Sequence, residues 1–126
     1  VNATASRVDA TPQALELIER LRRKHGPLMF HQSGGCCDGS SPMCFALGEF
    51  MIGSADVKLG EIGGAPFYMS AEQFEYWKHT KLIIDVVPGR GGMFSLENAE
   101  NERFLTRSRM FEEGEFERLP PIETVS

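Results

Sequence analysis

Residues 28–44 read Leu28-Met29-Phe30-His31-Gln32-Ser33-Gly34-Gly35-Cys36-Cys37-Asp38-Gly39-Ser40-Ser41-Pro42-Met43-Cys44. The first five residues spell a short, mostly buried strand, apolar until its last two positions. Gly34, Gly35, Gly39 and Pro42 then deny the backbone a regular path, so the strand feeds directly into an irregular loop. Upstream, Thr11-Pro12 is an N-cap followed by proline at the first helical position. Ala14, Leu17, Ile18 and Leu21 follow as one apolar stripe. Arg22, Arg23, Lys24 and His25 complement the dipole at the helix end, and Gly26-Pro27 stops it.

Downstream the pattern is rich in strands. Phe50-Met51-Ile52 and Val57-Lys58-Leu59 read as short strands separated by Gly53-Ser54-Ala55-Asp56, and Pro66-Phe67-Tyr68-Met69 follows through Gly63-Gly64. Ser70 with Gln73 three residues on is a capping box, with Met69 and Phe74 as its hydrophobic staple, for a short helix ending around His79. Leu82 to Val87 is the strongest strand, closed by Pro88-Gly89. Met93 to Glu97 and Arg103 to Phe111 read as a final strand pair, and the tail from Glu112 as frayed. Regular βαβ units are missing, so the expected class is α+β: a compact, mostly-β domain with an N-terminal helix and one short internal helix. The 126 residues make one domain, with a core over about 8–112 and flexible termini.

The bulk composition narrows the function. A net charge of -5 argues against binding a phosphate backbone, which needs a basic surface. No apolar run approaches the roughly 20 residues that span a bilayer, and Val1 to Ala10 lacks the apolar core of a signal peptide. The three cysteines, Cys36, Cys37 and Cys44, are an odd, clustered set, poor material for a disulfide framework. A reducing, cytoplasmic setting is therefore expected.

The loop concentrates every thiol of the chain beside one imidazole. Thiolate and imidazole are the usual ligands of zinc or iron, so His31, Cys36, Cys37 and Cys44 are the candidate metal ligands, although their spacing is not that of a zinc ribbon or finger. A second reading makes Cys36 or Cys37 a reactive thiol activated by His31. The third makes the cysteines small buried hydrophobes beneath a glycine-rich turn. His25 and His79 stand near helix ends, where a dipole role suffices. Asp85 is a lone charge in an apolar strand, to be held by a structural hydrogen bond or at a sheet edge. Gly89-Arg90-Gly91-Gly92 lacks the lysine and helix of a phosphate loop. The methionines read as core filler, and Arg103, Arg107 and Arg109 as a solvated strand face.

The run Gly26 to Ser40, with Phe67 to Asp85 and Gly91-Gly92-Met93-Phe94-Ser95-Leu96-Glu97, resembles a small bacterial family, domain of unknown function 779, over roughly residues 8–112. The resemblance implies an accessory role, since members are often encoded beside NAD-dependent aldehyde dehydrogenases, and no activity is established for the family. A fainter similarity is to the A-type iron–sulfur carriers, the HesB-like group. It is carried by Thr11-Pro12-Gln13-Ala14, by Gly34-Gly35-Cys36-Cys37-Asp38-Gly39, by Thr80 to Val86 and by Phe94 to Asn98. It implies a HesB-like fold in which Cys36 matches the first cluster cysteine. The carriers complete their cluster with a later Cys-Gly-Cys; this chain has Thr106-Arg107-Ser108-Arg109 there and no cysteine after Cys44.

The leading expectation is a non-enzymatic accessory protein that holds zinc or iron, rather than a complete iron–sulfur cluster, and works with an aldehyde dehydrogenase, a homodimer being one arrangement. The rivals are a metal-free module docking on that dehydrogenase and a reactive-thiol enzyme or sensor.

Overall fold

The computed structural model describes residues 7–32, 42–48, 53, 56–77, 80–89, 102–112, 114–115, 119 and 123–124. Their elements run β1 (Val8–Ala10), α1 (Pro12–His25), β2 (Leu28–Gln32), β3 (Met43–Ala46), β4 (Asp56–Ile62), β5 (Ala65–Ser70), α2 (Ala71–Trp77), β6 (Thr80–Pro88), β7 (Glu102–Met110) and β8 (Glu123–Thr124). The class is α+β and mostly β, as the residue pattern implies. The strands form two sheets, ordered β1-β6-β7 and β3-β2-β5-β4-β8. Among the described residues no helix is long and apolar enough to cross a membrane.

Helix α1 starts and stops where its caps dictate. The Thr11 hydroxyl accepts from the Ala14 amide, and Gly26, at φ 81°, donates its amide to the Arg22 carbonyl. Its stripe of Ala14, Leu17, Ile18 and Leu21 is buried. The helix comes so near the β4–β5 hairpin that a Cβ on Gly63 would lie 3.0 Å from Ile18 Cγ2. Gly63 and Gly64 both take positive φ, 56° and 82°, the backbone that a two-residue hairpin turn favours. The Ser70 cap also forms, its hydroxyl accepting from the Gln73 amide at 3.1 Å, and Phe74 packs against the core.

Between the sheets Phe30 stacks on Phe67, centroids 6.1 Å apart, and meets Phe104 of the other sheet edge-on at 4.9 Å. Such pairs add about 0.5–1.5 kcal/mol beyond area burial. Two residues farther along both strands, the buried Thr106 hydroxyl donates to Gln32 Oε1 at 2.7 Å. One aromatic contact and one polar bond thus fix β2 of one sheet against β7 of the other.

Several elements differ from the sequence-based expectation. Residues 8–10 form a parallel strand on β6, and Glu123–Thr124 pairs with β4, so that part of the tail is not frayed. Met43 and Cys44 belong to β3 rather than to the irregular loop. Strand β7 pairs with β6 over Thr80–Pro88 and Glu102–Met110. Phe50-Met51-Ile52, His79, residues 90–92 and Met93 to Glu97 lie outside the described residues. Asp85 is on the central strand of its sheet, held rather than at an edge. It accepts from Arg107 Nε at 2.9 Å, the Val86 amide at 2.8 Å and the Thr11 hydroxyl at 3.0 Å. The Arg107 bond first, then the Val86 amide, keep its carboxyl below the usual range.

Residues past β7 are tied down by charge. The buried Glu115 carboxylate takes two bonds from Arg109, at 2.9 and 3.1 Å, and one from the Glu112 amide at 2.8 Å, with Lys81 Nζ 3.8 Å away. The Arg109 bond above all holds its pKa down to about 2. A carboxyl depressed in the folded state adds stability above its unfolded pKa and loses it as pH falls towards the folded value. Glu115→Gln should therefore lower the thermal midpoint at pH 7, and the gap from wild type should close between about pH 4.5 and pH 2. Paired thermal melts across that range check it.

Candidate functional site

Alternation along β2 sends its residues to two different places. Leu28 and Phe30 join the core cluster, and Gln32 reaches Thr106 between the sheets. Met29 and His31 therefore point to the opposite face, yet they too are buried, at 1% and 5% exposure. The ladder places Met43, His31, Tyr68 and Lys58 in one row across β3, β2, β5 and β4. Asp56, opposite Ser70, is two residues along β4 from Lys58 and so shares that face.

On this face His31 Nε2 lies 2.9 Å from Asp56 Oδ1, with side-chain exposures of 6% and 14%. The carboxylate is gripped from its other side, Oδ2 accepting from the Gly53 amide at 3.0 Å, while the Asp56 amide donates to the Gly53 carbonyl. Burial pushes the Asp56 pKa up, but the Gly53 amide and His31 outweigh it and the carboxyl ends below its usual value. The pair stands where the parallel strands β2 and β5 end and β4 begins. There β2 ends, at Gln32.

The candidate ligands separate here. His31 faces the outer side of the five-stranded sheet. Cys44, opposite Phe30, is fully buried in the core cluster on the inner side. One metal ion cannot be held by both, because a β-sheet's backbone stands between them. Cys36 and Cys37 lie outside the described residues. Among the described residues no group of three His, Cys, Asp or Glu side chains gathers as a metal cage. His25 ends α1 exposed, where a dipole role suffices.

Neither residue type nor spacing singles out Asp56 in the sequence. An aspartate at the head of a strand, after a glycine-serine turn, signals a local turn, and nothing near it in the chain points to a histidine 25 residues earlier.

The profile of a family described as domain of unknown function (DUF779) matches residues 17–110. The chain belongs to that family. No curated protein and no solved structure matches it. The matched span of this DUF779 chain runs from α1 to the end of β7 and so contains both members of the His31–Asp56 pair, together with all three cysteines.

The burial of Cys44 has a measurable consequence. Cys44→Ser buries a hydroxyl among Phe30 and its apolar neighbours and should cost about 1–3 kcal/mol in urea unfolding.

Proposed function

We propose that this DUF779 protein is a non-enzymatic accessory protein that holds a zinc or iron ion at the carboxyl end of β2, through His31 together with Cys36 and Cys37. The observation that carries this reading is the buried His31 ring, one nitrogen of which is engaged by the Asp56 carboxylate at 2.9 Å. Metal-binding histidines commonly have their second ring nitrogen anchored in this way, which orients the ring and raises its basicity. Thiolates from the adjoining loop would supply the soft donors that zinc and iron accept. Cys44 is left out of the ligand set because it packs in the core. The likeness to the A-type carriers is taken no further than a HesB-like arrangement with Cys36 as a ligand, since no cysteine follows Cys44.

The partner, on the same proposal, is an aldehyde dehydrogenase in the cytoplasm, a reading supported by the sequence resemblance alone. Co-purification with that enzyme, retained or lost in the variants below, tests whether the metal site and the docking are linked.

Elemental analysis of untagged protein purified without oxygen tests the metal directly. Near-stoichiometric zinc or iron is expected in wild type and in Cys44→Ala. The Cys36→Ser/Cys37→Ser double variant should lose it, and His31→Ala should hold much less. A folded wild type without metal would overturn the reading. Labelling of a single loop thiol at neutral pH in that metal-free protein would turn the same His31–Asp56 pair into a thiol-activating device.

A further inference from the structure

Helix α1 and the β4–β5 hairpin leave between them a cleft of about 540 Å³ beside Leu28, at the other end of β2 from His31. Its floor is Ile18, Leu28 and Ala65, all of them apolar core residues. Part of its wall is bare backbone, from Gly26 at the end of α1 and from the Gly63-Gly64 turn. Those three glycines hold φ of 81°, 56° and 82°, which side-chain-bearing residues rarely adopt, so the helix cap and the turn keep the space clear. The volume falls within the roughly 300–1,000 Å³ of small-molecule sites. Leu15, 40% exposed, adjoins Gly63, and Leu47, 54% exposed, donates its amide to the Pro27 carbonyl, so apolar surface continues past the cleft at both places.

Charge selects the occupant. Arg22 lines the cleft. Glu19 engages its Nε at 3.2 Å and its Nη2 at 2.7 and 2.9 Å, whereas Nη1 has no hydrogen-bond partner among the described residues. Glu19 is also shared with Arg23, at 3.5 Å, so the exposed cations Arg22, Arg23 and Lys24 stand around one carboxylate. That excess offsets the negative partial charge of the helix end and makes a positive corner on a chain whose net charge is -5. An apolar floor with a guanidinium at its rim suits an amphiphilic anion, because a guanidinium pairs with a carboxylate by charge-assisted hydrogen bonds. We infer that this cleft binds a small aliphatic carboxylate, with its chain on Ile18, Leu28 and Ala65 and its carboxylate on Arg22 Nη1. Glu19 is then the rival of the ligand for Arg22. The inference uses none of the residues of the metal reading and stands or falls apart from it.

Titration of the full chain with sodium hexanoate at pH 7 and constant ionic strength, followed by the backbone amide signals, tests the site. The amides of Gly63, Gly64 and Ala65 should shift together along one saturable curve that is complete below about 10 mM. Hexylamine, with the same chain and the opposite charge, should leave them in place, and 1-hexanol should bind about tenfold more weakly than hexanoate. Arg22→Gln, an exposed change in a good helix former, should weaken hexanoate by a similar factor. Glu19→Gln removes the rival carboxylate and should tighten hexanoate by about 2–5-fold, whereas Glu16→Gln, the same change of charge on α1 away from Arg22, should not. Absence of a saturable shift at those three amides would overturn the inference. So would hexylamine or 1-hexanol binding as tightly as hexanoate, or a folded Arg22→Gln protein with wild-type affinity.

Discussion

Everything in this fold depends on burying both faces of one five-residue strand. Strand β2 is flanked by β3 on one edge and β5 on the other, and all five of its side chains are buried. A strand so enclosed has no slack in register, because a slip by one residue would exchange its two faces. Phe30 would leave its aromatic partners and His31 would enter the core. The Phe30–Phe104 contact and the Gln32–Thr106 bond oppose that slip with both shape and polarity, since the bond buries polar atoms that need each other. The stability of the core and the position of the site are therefore the same constraint seen from two sides.

Because of that constraint, neighbouring residues with similar chemistry have different fates. His31 and Gln32 are adjacent and both buried, yet one faces Asp56 and the other crosses to the second sheet. Cys44 lies across from Phe30 and behaves as a core residue, the ordinary condition of a buried cysteine. Pooling the three cysteines into one ligand set follows from their closeness in sequence. That closeness does not bring His31 and Cys44 together, because β2 and β3 send them to opposite faces of the sheet. The charged groups elsewhere have structural work. Asp85 joins the start of α1 to β6 and β7, and Glu115 ties the chain beyond β7 back to Arg109.

What could be read from the sequence is what local physics encodes. The α1 caps and stripe, the β2 run, the Gly63-Gly64 turn, the Ser70 cap and the β-branched β6 all announce themselves within a few residues. The elements not anticipated have no such announcement. Val8-Asp9-Ala10 is a strand because Leu82, Ile83 and Ile84 are beside it, and Glu123–Thr124 because β4 has an edge to cover. Met43–Ala46 follows a stretch of sequence rich in glycine and becomes regular by pairing with β2. His31 was legible as a candidate because of its loop, whereas its partner Asp56 was not, since their contact depends on β5 lying between them in the sheet.

The central proposal is that His31, on the outer face of β2, is a metal ligand, whereas Cys44, on β3, packs in the core. X-ray absorption at the metal edge of zinc-loaded protein tests it most directly, because sulfur and imidazole nitrogen differ in distance, about 2.3 Å against about 2.0–2.1 Å. The account predicts a shell containing imidazole and sulfur that is unchanged in Cys44→Ala and loses its imidazole contribution in His31→Gln. A sulfur lost from the shell in Cys44→Ala, or a shell indifferent to His31→Gln, would contradict it.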